Sequence, residues 1–293
     1  MAESSKIKTL MSDHERYVTT FAEYCKRTKK YDVLRDWISS DFPEKVVNSL
    51  GVKDIEELRM LGVGSGSGFV ETCALKQLVT KWSKVTHTVL EPNSDLLDQF
   101  KELAAKEKDN LPGVSFDWKQ KTVEEFKQES ADQTSKYHFI MVVQSIYYVD
   151  DLEGILKYLT SLLAKGGMMV IVMVSENSVM WRIANRFPEF QNEKQLGICT
   201  KHIEEILAAN GIKFATDEIE ARMDSTGCFV KDSKEAELLI DFITQVAYLK
   251  SQRSEAFYNE VVEYVKTDQV SLPPTADGRT WFRCNYDAIY VTK

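Results

Sequence analysis

From about residue 55 the chain alternates short apolar runs with segments of helical periodicity. Leu58–Val63, Val85–Leu90, Val114–Trp118, Tyr137–Val143 and Met168–Val174 are apolar runs of strand length. Between them, Phe69–Lys81, Ser94–Lys106, Val123–Gln128 and Leu152–Leu163 place apolar residues at helical spacing, with Asn93 or Ser94 as a cap for the second. Strands that alternate with helices predict βαβ units around a parallel sheet. Such crossovers are right-handed, so the loops after the strands collect on one edge. Gly166-Gly167 reads as the turn into the fifth strand.

The flanks are less regular. Tyr17, Val18, Phe21, Tyr24 and Cys25 follow helical spacing, Asp32–Ile38 starts a second helix, and Pro43 interrupts. Beyond the fifth strand, His202–Asn210 reads as a helix closed by Gly211, and Phe214–Ala221 as a strand. Residues 235–266 read as a helical pair broken near Ser251, and Tyr286–Val291 as a last strand. The expected organisation is one α/β domain over 1–293. Residues 1–50 form a helical cover, 55–175 a Rossmann-like core of a mostly parallel, seven-stranded sheet, and 176–293 the substrate-side insertions.

Composition narrows the class. An apolar fraction of 43% in 293 residues supplies a large core. The net charge of −8 gives no nucleic-acid footprint. Five scattered cysteines without a C-x-x-C pair, and four histidines, suggest neither a disulfide framework nor a metal site. No apolar stretch approaches the roughly 18 residues of a membrane span. A monomeric, cytoplasmic protein is the expectation.

The candidate chemistry begins at the end of the first strand. Gly64, Gly66 and Gly68 allow a tight turn and close approach of a ligand. Glu91 ends the second strand, where a carboxylate can accept from both hydroxyls of a ribose. The G-x-G-x-G spacing departs from the G-x-G-x-x-G of dinucleotide sites, and Phe69-Val70-Glu71 adds no phosphate donors. S-adenosylmethionine fits better than NAD, because its sugar-to-sulfonium link is uncharged. Past the fourth strand, Gln144 can hold a ring N–H through its amide oxygen or simply tie a strand end to a loop. Tyr17, Phe21, Tyr147, Tyr148 and Trp181 can box a flat or cationic acceptor or sit in the core. Lys26–Lys30 is a basic run whose plain reading is a solvated helix end.

These residues together resemble the histamine N-methyltransferase family over the whole chain. Ser12-Asp13-His14 with Tyr17 and Phe21, Gly62 to Gly68, Glu91-Pro92, Gln144-x-x-Tyr147-Tyr148-Val149 and Arg186-Phe187-Pro188 carry the resemblance. It implies a class I methyltransferase with Gly62, Gly64, Glu91, the region of Thr122, and Val143 around S-adenosylmethionine. It implies Gln144 as the residue that orients a small imidazole or amine acceptor. Three positions depart from the family: Leu96 replaces a glutamine, Lys30 the glutamate that anchors the amine, and Cys284 an asparagine, with Arg283 and Asn285 beside it. Histamine is the first expected acceptor. Lys30 and Arg283 would also suit a carboxylate-bearing imidazole such as carnosine or histidine. A catalytically silent S-adenosylmethionine-binding protein is the reading from another class.

Overall fold

A computed structural model of the chain describes residues 7–53, 55–129, 136–191, 197–230 and 233–293. They form two compact units that interleave along the chain. The first draws on Met1–Lys30, Val174–Lys201 and Glu220–Tyr286, and the second on Tyr31–Met173, His202–Ile219 and Asp287–Lys293. Residues 1–50 divide between the two units after Lys30.

The strands in chain order are β1 (Leu58–Val63), β2 (Val85–Leu90), β3 (Val114–Lys119), β4 (Tyr137–Val143), β5 (Leu163–Val174), β6 (Phe214–Ile219), β7 (Arg222–Asp224), β8 (Ser271–Leu272), β9 (Trp281–Arg283) and β10 (Tyr286–Thr292). The second unit holds a seven-stranded sheet in the order β3-β2-β1-β4-β5-β10-β6. The ladders β1–β2, β1–β4, β2–β3 and β4–β5 are parallel. This is the Rossmann-like sheet expected. Five of the six residues of β1 and all but the last of β4 are buried, as continuous apolar runs in a covered parallel sheet require. Strand order reverses between β1 and β4, so their carboxyl ends open a crevice.

Two details depart from the sequence expectation here. The helix after β1 spans Phe69–Leu78, and residues to Lys81 continue as turns. Gly166-Gly167 lies inside β5 and does not precede it. The backbone stays bonded through both glycines: Gly166 N–H donates to Lys293 O, Gly51 N–H to Gly166 O, and Lys293 N–H to Gly167 O. The register slips between Tyr137 and Phe139, so the glycines form an irregularity in a longer strand.

The first unit carries the helix His14–Arg27, whose cap Asp13 accepts the Arg16 N–H. Its small antiparallel sheet, β7-β9-β8, was not legible in the sequence. The predicted break near Ser251 falls between the helices Leu249–Gln252 and Glu255–Val265, and a second break comes earlier, after the helix Lys234–Thr244. Gln245 and Tyr248 both take left-handed backbone, with φ near 55°. The buried Asp241 carboxylate stabilises this turn by accepting the Tyr248 and Leu249 N–H groups at 2.7 and 3.0 Å. Arg16 completes its partners at 2.6 Å. Among the described residues, no helix is long and apolar enough to cross a membrane.

Candidate functional site

The cofactor candidates lie in the second unit at the carboxyl ends of β1, β2 and β4. Gly64, Gly66 and Gly68 all have left-handed φ, at 62°, 57° and 78°, where a side chain is strained. Two also meet close neighbours. A Cβ on Gly64 would lie 2.4 Å from Ser145 Cβ, and one on Gly68 2.0 Å from the Phe100 ring. A Cβ on Gly66 would meet nothing within 4 Å, so this glycine faces open space and leaves backbone available to a ligand.

Glu91 is buried and holds this loop. Its Oε2 accepts the Gly66 N–H at 2.7 Å and its Oε1 the Asn93 N–H at 2.9 Å. The Glu91 N–H extends the sheet by donating to Lys119 O. Each carboxylate oxygen retains a lone pair for a further donor. Ser145 was not singled out in the sequence, yet its Oγ donates to Val63 O at 2.6 Å and ties the loop after β4 to the end of β1. A short polar residue two positions past a buried strand was the available signal. Thr122 and Glu125 form a reciprocal cap on the helix Val123–Glu129, with Thr122 N–H on Glu125 Oε2 and Glu125 N–H on Thr122 Oγ1. The cap places the Thr122 backbone firmly, but the hydroxyl already has a partner. Val143 is the half-buried last residue of β4. The loop, its open face and the carboxylate beside it suit an adenosine cofactor without charged phosphates.

Gln144 also has left-handed backbone, at φ 50°, without being glycine. Its N–H donates to Val172 O at 2.9 Å, and its side-chain Nε2 reaches the same carbonyl at 3.4 Å. Beyond it, Tyr147 and Tyr148 pack edge to face with centroids 4.5 Å apart, Tyr148 largely exposed.

The remaining acceptor candidates belong to the first unit. Tyr17, Phe21 and Tyr24 form a stacked ladder along one helix, with centroids 5.7 and 6.2 Å apart. Phe242, missed in the sequence, closes it at 4.3 Å from Tyr24. Burial pushes the Tyr24 phenol up to about 12, so it remains a hydrogen-bond donor at neutral pH. Trp181 is half-buried on the helix Val179–Arg186. Cys284 is buried, its thiol pushed up to about 12, and its N–H bonds Ala221 O. Asn285 Oδ1 accepts the Ala221 N–H at 3.1 Å, which commits one of its lone pairs to the fold. Lys30 is half-buried and not the solvated end of its basic run; desolvation lowers its ammonium pKa.

A model of a methyltransferase domain matches residues 18–217. Histamine N-methyltransferase A of Xenopus laevis is 32% identical, with 98% of each chain covered. The Danio rerio histamine N-methyltransferase is 28% identical over 98% of this chain and 99% of its own. Among solved structures, a plantazolicin methyltransferase in complex with a pentazolic desmethylPZN analogue and S-adenosylhomocysteine (SAH) superposes with a TM-score of 0.51 at 12% identity, covering 97% of this chain and 93% of its own. The YcgJ protein of Bacillus subtilis gives 0.51 at 10% identity, over 86% of this chain and 97% of its own. The fold, the S-adenosylmethionine chemistry and the full-length similarity agree: the chain belongs to the histamine N-methyltransferase family of class I S-adenosylmethionine-dependent N-methyltransferases.

Proposed function

We propose that the enzyme methylates a ring nitrogen of a small imidazole amine, with histamine first among the acceptors. The state of Gln144 carries this reading. A non-glycine residue in left-handed backbone costs about 1–3 kcal/mol, a strain that collects at functional positions. Here the strain turns the side chain so that Nε2 faces Val172 O. The opposite amide orientation would set oxygen against oxygen. Oε1 is therefore the group offered onward, and an amide oxygen accepts from an imidazole N–H. Held by that N–H, the ring presents its other nitrogen, whose lone pair is free at neutral pH without a base.

Gly64, Gly66, Gly68 and Glu91 would hold the cofactor by backbone approach and through the ribose. When bound, S-adenosylmethionine supplies a methyl carbon activated by its sulfonium for in-line displacement. The protein's contribution is positioning and exclusion of water. Tyr147 and Tyr148 supply aromatic surface beside Gln144 for a flat acceptor; Tyr17, Phe21 and Trp181 are the aromatic candidates of the first unit. Lys30 stands where the family resemblance implies an amine-anchoring glutamate.

The test is transfer of labelled methyl from S-adenosylmethionine to a panel of histamine, histidine, carnosine and amines without a ring. Label on a ring nitrogen of histamine is the expected result. Transfer confined to carboxylate-bearing imidazoles would replace the acceptor, and transfer only to amines without a ring would overturn the reading of Gln144.

A further inference from the structure

Beneath the glycine loop lies a carboxylate–imidazole pair that the reading above does not use. Glu71 stands in the first turn of the helix Phe69–Leu78 and is 4% exposed, while His87 in β2 is fully buried. Glu71 Oε2 and His87 Nε2 are 3.1 Å apart. Their angle makes no hydrogen bond, and Glu71 Oε2 and both imidazole nitrogens lack a hydrogen-bond partner among the described residues. The other neighbours of the imidazole include the Phe100 and Phe116 rings, at 5.9 and 5.7 Å between centroids. A carboxylate is costly to bury in such surroundings, and the helix N-terminus only partly offsets that.

The location of the carboxylate is specific. A Cβ built on Gly62 would lie 2.3 and 2.5 Å from the two Glu71 oxygens, and its three nearest atoms all belong to that carboxyl group. Gly62 is not among the residues with positive φ, so the carboxylate, not the backbone, excludes a side chain. Glu71 thus fills the space of a side chain at position 62, where β1 runs into the glycine loop.

We propose that Glu71 is a specificity-determining residue that favours S-adenosylmethionine over its demethylated product SAH. The proposal rests on the reading that the glycine loop holds the cofactor. The two molecules share adenosine and amino-acid parts and differ by a methyl group and one positive charge. Contacts common to both cannot separate them, whereas a fixed buried carboxylate can. At an effective dielectric of about 20, attraction between unit charges several ångströms apart exceeds a factor of about ten in binding. Screening by the surrounding protein and solvent leaves about fivefold as the expected discrimination.

Calorimetry on the full chain should measure Kd for both molecules. Glu71→Gln keeps the shape and removes the charge, and should lower the preference for S-adenosylmethionine about fivefold. A purely structural role would weaken both molecules alike. A second pair of variants covers a folding failure of that one. Glu71→Ala with Gly62→Asp moves the carboxylate onto the strand within the same space, and Glu71→Ala with Gly62→Asn is its neutral counterpart. The aspartate version should keep the stronger preference. Equal preferences in wild type and Glu71→Gln, or in the two double variants, overturn the proposal. A wild-type chain that binds neither molecule defeats the cofactor-loop reading instead.

Discussion

Replacing Glu91 by Gln is predicted to be as damaging as replacing it by Ala, already without cofactor. Each oxygen of the buried carboxylate has its own backbone donor, Gly66 N–H at 2.7 Å and Asn93 N–H at 2.9 Å. A glutamine has one acceptor oxygen, so its NH₂ group must face one of the two donors in either orientation. A hydrogen bond to a charged acceptor contributes about 1.5–3 kcal/mol, and a buried donor left unmet costs a similar amount. Glu91→Gln loses one such bond, weakens the other and sets donor against donor, a loss of about 3 kcal/mol. Glu91→Ala loses both bonds, but the space lies beside the open face of the loop and admits water, which returns part of the loss. A loss of that size lowers an apparent Tm by roughly 6 °C in a chain of this length. The assay is thermal unfolding of cofactor-free protein, followed by calorimetry with S-adenosylmethionine. Affinity should fall about 100-fold or more, because loop order and ribose contact are lost together. A Glu91→Gln variant that melts with the wild type and binds normally would show that the carboxylate neither holds the loop nor reads the ribose.

Three further outcomes are expected. Gln144→Gly should be more stable than Gln144→Ala by about 1 kcal/mol, since only glycine relieves the left-handed backbone, while both lose acceptor turnover and keep S-adenosylmethionine affinity; equal stabilities, or lost cofactor binding, would contradict the assigned role. Lys30→Glu should raise the ratio of kcat/KM for histamine over that for carnosine, because a carboxylate replaces a desolvated amine; an unchanged ratio would remove Lys30 from the acceptor site. His138 is pulled below its usual pKa by burial and by nearby Arg59, and its Nδ1 accepts the Arg59 N–H at 3.0 Å. The neutral imidazole is therefore the folded form, so its stabilisation is complete above about 6.5 and is lost as pH falls through the lower folded value. His138→Asn, which cannot protonate, should flatten the fall in Tm between about pH 7.5 and 5.5; an identical slope would refute this.

The central strands β1, β2 and β4 were legible because they are buried as continuous apolar runs. Leu58–Val63, Val85–Leu90 and Tyr137–Val143 have the bounds their apolar runs predicted. The cap at Asn93 was equally clear, and its Oδ1 accepts the Leu96 N–H. What escaped depends on partners distant in sequence. β7, β8 and β9 are two or three residues long, too short to show a period, and are defined only by pairing with one another. The helix end at Gln245 has no glycine to announce it, because a carboxylate bonded to Arg16 stabilises it. Glu71 reads as an ordinary acid in a first helical turn until β2 is in register with β1, which brings His87 against it.

The family motifs combine two kinds of residue, and the structure separates them. Asp13 belongs to the Ser-Asp-His motif, but its carboxylate caps a helix and pairs with Lys8 at 2.6 Å. Thr122 has its hydroxyl in a capping pair, and Asn285 holds Ala221. Each would recur among relatives for the sake of the fold alone. Gln144 is different: its backbone is left-handed without being glycine, and its N–H and Nε2 share one carbonyl, Val172 O. The same contrast applies at the glycine loop. Gly64 and Gly68 are set by neighbours that a Cβ would strike, whereas a Cβ on Gly66 would meet nothing and the Gly66 N–H is held by Glu91. On the proposed function, Gly66 with its open Cβ side faces the cofactor, and Gln144 with its left-handed backbone faces the acceptor.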